Sequence, residues 1–91
     1  MDPNLSISVN DIDFGEKATA VIHARDDFSD TVLVSLEGYP SQVYNVSVEK
    51  GYGEVTFDES LPVGNYIATV MYYGGEKFAK DSASTTFSVK W

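Results

Sequence analysis

The chain contains no cysteine, so whatever fold it adopts must be stabilised without a disulfide. The absence of cysteine does not indicate whether the protein works in a reducing or an oxidising compartment, because both cytosolic proteins and many prokaryotic surface proteins lack disulfides. No apolar run approaches the ~20 residues of a membrane-spanning helix, so no membrane insertion is expected. No basic segment followed by an apolar one opens the chain, so no signal peptide is predicted. If the protein works outside the cell, we expect this sequence to be an excised piece of a longer one.

Basic residues are scarce, with six Lys and Arg against fourteen Asp and Glu and a net charge of −8. Because no basic cluster is present to displace counterions from phosphates, no binding to nucleic acid is expected. The length of 91 residues predicts a single domain, residues 1–91, with one modest core. Apolar residues at 43% and charged residues at 22% are typical of a folded domain.

Short runs in which apolar and polar residues alternate follow one another along the chain. A period of two is typical of half-buried β-strands, and no segment shows the helical period of about 3.6 residues. Seven runs direct the following residues toward a core: Leu5, Ile7, Val9; Ala18, Ala20, Ile22; Val32, Val34, Leu36; Tyr44, Val46, Val48; Val55, Phe57; Tyr66, Ala68, Val70, Tyr72; Thr85, Phe87, Val89. The segments between them are predicted as a corner at Ile12 to Gly15, a polar turn at residues 25–30 and a turn at residues 38–41. The pattern predicts an all-β sandwich of about seven antiparallel strands.

The segment Leu61-Pro62-Val63-Gly64-Asn65-Tyr66 precedes a long alternating run. A leucine, a turn with glycine and a tyrosine that opens a strand form the pattern of the tyrosine corner in β-sandwiches. In such a corner the hydroxyl bonds backbone a few residues upstream. We therefore predict that Leu61, Gly64 and Tyr66 form a structural corner in an immunoglobulin-like (Ig-like) Greek-key β-sandwich.

Several motifs spread over the chain together resemble one known repeat type. They are Asn4 to Ile12, Phe14-Gly15-Glu16, the Leu61 to Tyr66 corner, Tyr72-Tyr73-Gly74-Gly75 and Thr85 to Val89. This combination, which covers essentially the whole chain, resembles the bacterial-type Ig-like repeat of adhesin-like surface proteins of methanogenic archaea. The resemblance implies secretion, an extracellular position on the cell surface, tandem arrays and a role in cell adhesion. Its repeats usually carry Thr at outward positions of the sixth strand, where this chain has Ile67 and Met71.

The expected function is that of a structural or adhesive repeat that spaces or presents a binding region of a cell-surface protein. Its partners would be neighbouring repeats of the same chain, and the isolated domain is expected to be a monomer. The alternative is that the domain itself binds a cell-surface glycan or protein. Many near-identical copies in the parent sequence would favour the first interpretation, and one divergent copy the second.

Residues suited to catalysis are few. His23 is the one histidine, and it is predicted on the outward side of a strand. A nucleophilic triad needs a serine and an acid that converge on the histidine, and no Gly-x-Ser-x-Gly motif occurs. No enzyme activity, catalytic residue or cofactor is therefore predicted.

Acidic residues cluster at Asp11, Asp13 and Glu16 and again at Asp26, Asp27 and Asp30. Calcium binds six to eight oxygen atoms, but no Asp-x-Asp-x-Asp-Gly loop occurs. Because the clusters are expected at opposite ends of the sandwich, no metal site within the domain is predicted. The sequence leaves open whether the second cluster holds a cation at a junction between repeats.

Two further surface features are a set of tyrosines and a pair of glycosylation sequons. Tyr39, Tyr52 and Tyr73 could stack on sugar rings, but they are predicted on different loops, so no shared platform is expected. Asn4-Leu5-Ser6 and Asn45-Val46-Ser47 are glycosylation sequons, and their modification stays open.

The remaining feature is a contact face on the sixth and third predicted strands. Leu33, Ile67, Met71 and Tyr73 are predicted to point away from the core and to share one outer surface. Ser84, Thr86 and Ser88 on the last strand are predicted to flank them and to leave the surface open. An apolar patch bordered by hydroxyls is typical of a contact surface, although scattered apolar residues on a sheet are also common.

Overall fold

The computed structural model describes residues 2–58 and 60–91, and describes Ser41 without its side chain. Its strands are β1 (Ser6–Val9), β2 (Ile12–Asp13), β3 (Thr19–His23), β4 (Asp30–Leu36), β5 (Tyr39–Val48), β6 (Tyr52–Thr56), β7 (Gly64–Tyr72) and β8 (Asp81–Lys90). The described part of the chain contains no helix that is long and apolar enough to cross a membrane.

The strands form two sheets that pack against each other around one core. The order is β1-β3-β6 in the three-stranded sheet and β2-β8-β7-β4-β5 in the five-stranded sheet. The prediction of an all-β sandwich is confirmed.

The strands in the described residues number eight rather than about seven, because Ile12–Asp13, predicted as a corner, forms β2. This short strand pairs in parallel with β8, with Ile12 opposite Val89, whereas the other pairs are antiparallel. Just beyond the pair, the backbone N–H of Phe14 donates to the carbonyl oxygen of Lys90.

The residues that alternation predicts as inward form the core. Tyr44, Val55, Tyr66 and Thr85 are half-buried, and the other predicted positions are buried. Phe28 corrects the prediction of a polar turn at residues 25–30, because its ring is completely buried. The Phe28 ring lies 4.9 Å from the ring of Tyr72 and 5.1 Å from that of Phe78, both edge-on. A loop residue outside the alternating runs can thus complete the core, and periodicity does not detect it.

The turn predicted at residues 38–41 is shorter in the structure. Only Glu37 and Gly38 connect β4 and β5, and β5 begins at Tyr39. Pro40 lies within β5, which is tolerated because β5 is an edge strand. The paired register shifts near this turn, where Leu36 lies opposite Tyr39 but Ser35 lies opposite Val43.

The segment before β7 has the geometry of a tyrosine corner. The Tyr66 hydroxyl donates to the carbonyl oxygen of Pro62, and the Tyr66 ring stacks on Phe87 with 5.5 Å between ring centroids. Leu61 is buried, and Gly64 is the first residue of β7. Burial, followed by the nearby Tyr39 hydroxyl, raises the pKa of Tyr66.

The sandwich is elongated, with principal extents of 44 × 22 × 17 Å, and the chain enters and leaves it at opposite ends. At one end, the N–H of Leu5 donates to the Asp81 carboxylate at the start of β8. We call this the groove end, after the groove described below. At the other end, which we call the corner end, the Trp91 ring packs on Phe14 beyond the last residue of β8.

Candidate functional site

The four residues predicted as a contact face lie on or beside β4 and β7, two adjacent strands of the five-stranded sheet. Leu33 on β4 lies directly opposite Met71 on β7. Ile67 and Met71 are 39% and 42% exposed, and Leu33 is half-buried. Tyr73, which follows β7, is 73% exposed. Leu33, Met71 and Tyr73 therefore gather toward the groove end, and Ile67 lies four residues further along β7, roughly 13 Å away.

Hydroxyl side chains of β8 border this row. Ser82 lies opposite Met71, Ser84 opposite Thr69 and Thr86 opposite Ile67. The hydroxyl of Ser88, nearer the corner end, donates to the Asn65 side-chain oxygen at 2.7 Å.

On the other side of β4, strand β5 extends the same surface. Val43 lies opposite Ser35 and is 44% exposed, and Asn45 lies opposite Leu33. Sequence reasoning missed Val43 because it began this strand at Tyr44. The alternation continues backwards through Val43, and this was the signal that could have identified it.

We call the solvent side of β5, β4, β7 and β8 the outer face. Its described side chains are Thr31, Leu33, Ser35, Val43, Asn45, Ser47, Asn65, Ile67, Thr69, Met71, Ser82, Ser84, Thr86, Ser88 and Lys90. Apart from Lys90 at the corner end, none of these side chains is charged, although the chain has a net charge of −8. An uncharged partner can cover the rest of this surface without removing an ion from water, which would be costly.

An open groove of about 500 Å³ lies where the outer face meets the segment that connects β7 and β8. Met71, Tyr72, Tyr73, Lys80, Asp81 and Ser82 line it. The volume is within the range of about 300–1,000 Å³ that small-molecule sites occupy. The Met71 thioether and the tyrosine rings supply the apolar part of this lining. The Lys80 ammonium, the Asp81 carboxylate and the Ser82 hydroxyl supply the polar part. This lining can pack against a flat apolar group and hydrogen-bond its polar substituents.

Sequence reasoning did not identify Lys80 and Asp81 as part of this site. The β7–β8 pairing brings them there, because Tyr72 lies opposite Asp81 and Met71 opposite Ser82. The Gly74-Gly75 turn predicted a connection at this point, but no periodicity indicated which residues after the turn would return to Met71.

The buried wall of the groove is held by a hydrogen bond from the Tyr72 hydroxyl to the Asp30 carboxylate, at 2.7 Å. This bond, with the backbone N–H of Thr31, lowers the pKa of Asp30. The same bond, with burial, raises the pKa of Tyr72. A side chain at Gly75 would place its Cβ 2.5 Å from the Tyr72 hydroxyl, so the loop passes directly over this bond.

The second acidic cluster, Asp26, Asp27 and Asp30, lies at this groove end. The Asp27 carboxylate lies 3.2 Å from Arg25 Nε and 3.5 Å from Lys77 Nζ. The hydrogen bond from Arg25 holds the pKa of Asp27 below its ordinary value. In residues 2–58 and 60–91, no group of three or more His, Asp or Glu side chains is arranged to hold a metal ion.

The first acidic cluster, Asp11, Asp13 and Glu16, lies at the corner end and cannot share ligands with the second. Asp11 accepts a hydrogen bond from the Ser88 N–H at 2.8 Å and lies 3.5 Å from the Lys90 ammonium. Glu16 accepts a bond from the backbone N–H of Asp13 at 2.8 Å.

His23 and the remaining surface tyrosines lie apart from the groove. The His23 ring meets the Tyr52 ring edge-on at 5.6 Å, on the three-stranded sheet. Tyr39 contacts Tyr66 at the corner end, with 5.9 Å between centroids. Tyr39, Tyr52 and Tyr73 thus lie on three separate parts of the surface.

The two sequons occupy different environments. Asn4 precedes β1 and has a positive φ of 56°. Asn45 lies within the outer face, exposed and opposite Leu33, so a glycan there would cover part of that face.

Comparison of the chain with protein-family models and with curated protein sequences finds no match.

Proposed function

We propose that this chain is an Ig-like Greek-key repeat of an adhesin-like, extracellular cell-surface protein, in which it spaces or presents a binding region. Its role is mechanical and interfacial rather than chemical, and its immediate partners are neighbouring repeats of the same chain. The observation that carries the proposal is the elongated sandwich, 44 Å long, which the chain enters at one end and leaves at the other.

Strand neighbours support the Ig-like part of the proposal. In an Ig sandwich, strands A, B and E share one sheet and strands C, F and G the other. The neighbours β1-β3-β6 and β4-β7-β8 follow the same scheme. The tyrosine corner of Ig domains lies between strands E and F. The bond from the Tyr66 hydroxyl to Pro62 lies between β6 and β7, at the corresponding place.

The positions of the chain ends support a role in a linear array. Copies joined through them would follow one another along their long axes, and the outer faces would remain on the sides. Small-angle scattering of a two-repeat protein tests this arrangement. We expect a maximum dimension close to twice the 44 Å length of one repeat. A dimension close to that of a single repeat would mean side-by-side packing and would contradict the spacer role.

A second candidate function, binding of a glycan or protein by the domain itself, is favoured by the groove. Tyr73 exposes most of its ring beside Met71, with the polar groups of Lys80 and Asp81 at hand. A glycan array and a pull-down with the isolated domain test this candidate.

The variant for this test is Met71→Lys with Tyr73→Ser, checked for folding by circular dichroism. If the groove binds, the double variant loses the ligand and Tyr52→Ser, on the other sheet, keeps it. Full binding by the double variant would remove the groove from consideration. No binding by the wild-type domain would leave the spacer role.

A further inference from the structure

The two most exposed large apolar side chains of the described residues lie at opposite ends of the sandwich. Trp91 is 88% exposed at the corner end, and Tyr73 is 73% exposed at the groove end. The sandwich is 44 Å long, so these two side chains cannot cover each other within one molecule. They can meet when the corner end of one copy faces the groove end of another.

The corner end presents its aromatic surface in a fixed position. The Phe14 ring is half exposed and packs on the Trp91 ring with 4.9 Å between centroids, and we call these two side chains the aromatic pair. The parallel strands β2 and β8 lie directly behind it, and the Phe14 N–H bonds the carbonyl oxygen of Lys90. Because both rings are already held in place, a partner that covers them immobilises few additional side-chain torsions.

The groove offers apolar groups that suit these rings. Its open volume of about 500 Å³ is bordered by the Met71 thioether and the Tyr73 ring. Sulfur and tyrosine both pack favourably against aromatic rings. The wall behind them is fixed, because the Tyr72 hydroxyl bonds Asp30.

The groove also offers an acceptor for the indole N–H of Trp91. The Asp81 carboxylate accepts bonds from the backbone N–H groups of Leu5 and Ser82, one on each oxygen. A carboxylate has about four lone-pair sites, so each oxygen can accept a further bond. A tryptophan that enters the groove can therefore bury its ring without losing a partner for its donor.

Charges at the two ends are complementary beside these apolar groups. Lys80 lines the groove, and its ammonium forms no ion pair within residues 2–58 and 60–91. At the corner end, Asp13 and Glu16 precede and follow Phe14, are exposed, and form no ion pair within the same part of the chain. When the two ends meet, the ammonium can face these carboxylates or lie on the indole ring.

We propose that the aromatic pair of one copy seats in the groove of the next copy, with Trp91 against Tyr73. The inference rests on the spacer role proposed above and names the contact between neighbouring repeats. The segment that leads into β1 passes the groove, because the Leu5 N–H donates to Asp81. A copy joined ahead of this segment therefore has its corner end beside the groove.

The contact joins two different surfaces of the same chain, so copies add head to tail without closing. Each aromatic side chain buries roughly 150–250 Å². Two of them cover much less than the roughly 1,200–2,000 Å² that stable interfaces bury. Free copies are therefore monomeric in dilute solution. The contact forms in joined repeats, where effective concentrations are on the order of millimolar.

Trp91 is the single tryptophan of the chain, so its fluorescence reports this contact directly. From micromolar to millimolar protein, we expect its emission to shift to shorter wavelength, because the indole leaves water for the groove. Sedimentation equilibrium over the same range is expected to give a mean mass that rises from 10.0 kDa past twice that value. Constant emission, a constant monomer mass or growth that stops at the dimer would each overturn the proposal.

Two variants, one at each end, distinguish this contact from a symmetric one. Trp91→Ala removes the indole and keeps the groove, whereas Tyr73→Ser alters the groove and keeps the aromatic pair. Each variant alone is expected to associate roughly tenfold or more weakly than the wild type. In an equimolar mixture, the aromatic pair of one variant meets the intact groove of the other. The mixture should form pairs with the wild-type affinity and grow no further, and a mixture that associates no better than its components would overturn the proposal.

Matched controls test whether the groove itself makes the contact. Tyr52→Ser removes an exposed tyrosine from the other sheet and is expected to leave association within about twofold. Lys80→Glu and Lys50→Glu give the same net charge, but only Lys80 lines the groove. Lys80→Glu should weaken association roughly fivefold more than Lys50→Glu does. Equal losses within either comparison would overturn the proposal.

A two-repeat protein distinguishes this contact from the spacer role on which it rests. Trp91→Phe in its second repeat leaves the tryptophan at the junction as the only one. Short-wavelength emission from an extended protein is the expected result. An extended protein with its junction tryptophan in water would overturn the contact and keep the spacer role, and a compact protein would overturn both. A groove that binds a glycan while Trp91 stays in water would belong to that ligand and would also overturn the contact.

Discussion

The Tyr66 hydroxyl joins the start of β7 to the segment before it, because it donates to the carbonyl oxygen of Pro62. Tyr66→Phe keeps the ring packing on Phe87 and removes this bond. We expect the fold to persist and the free energy of unfolding to fall by about 1 kcal/mol, the usual net contribution of one intramolecular hydrogen bond, because the Pro62 acceptor is exposed and can bond water instead. Urea denaturation measures the change, and an unaltered midpoint would show that the corner contributes no stability.

A second tyrosine, Tyr72, makes stability depend on pH through Asp30. The folded pKa of Asp30 lies below its ordinary value, so this carboxylate contributes stability above about pH 4 that is lost as the pH falls through the folded pKa. The folded pKa of Tyr72 is raised, so its contribution is complete below about pH 10 and is lost as the pH rises through that pKa.

Tyr72→Phe should therefore destabilise the protein by about 1 kcal/mol at neutral pH. The difference from the wild type should narrow as acid protonates Asp30. Urea denaturation at a series of pH values measures both effects, with the exposed Tyr73→Phe as the control. A difference that stays constant from neutral to strongly acidic pH would contradict the role of Asp30.

Among the connecting elements, the turn at Lys50-Gly51 carries the chain from β5 in one sheet to β6 in the other. Both residues have positive φ, 51° and 78°, as a type I′ turn requires. Gly51 also lies against the β3–β4 segment, where a Cβ would come within 2.6 Å of the Ala24 carbonyl oxygen. The Gly51 N–H donates to the carbonyl oxygen of Phe28 at 2.9 Å, so a hydrogen bond joins the turn to the β3–β4 segment.

Replacing Gly51 and Gly38 by alanine separates the two causes of strain. Gly38 also has a positive φ, 84°, but a Cβ there meets nothing within 4 Å. We expect Gly38→Ala to cost about 1 kcal/mol of unfolding free energy and Gly51→Ala about 2–4 kcal/mol, because the clash adds to the backbone strain. Equal losses by urea denaturation would mean that the contact with Ala24 relaxes freely.

The elements also show where sequence reasoning works. The inward positions of β3, β4 and β7 follow from alternation, because a strand packed on one side must bury every second residue. The burial of Phe28 and Phe78 does not follow from alternation, because both lie in irregular segments where burial depends on the path of the loop. Leu33 and Met71 were predicted on one face from strand order. Lys80 and Asp81 were not predicted at the site, because their position beside Met71 depends on the length of the β7–β8 connection.

For the molecule as a whole, we expect stability in excess EDTA to equal that in millimolar calcium. The Asp27 carboxylate is already paired with Arg25 and Lys77, and Asp30 already accepts bonds from Tyr72 and Thr31. A ligand that binds only the native state would raise the melting temperature. A clear rise with calcium that disappears in Asp27→Asn would overturn this expectation.

The parallel pair of β2 and β8 has a consequence for how the protein bears load. The chain enters at the groove end and leaves at the corner end, so tension between these points pulls β2 and β8 in opposite directions along their length. The backbone bonds of Ile12 and Asp13 with β8, and that of Phe14 with Lys90, are then sheared together rather than opened one after another. Resistance to force, which is a rate property, is thus concentrated in the shortest strand of the fold.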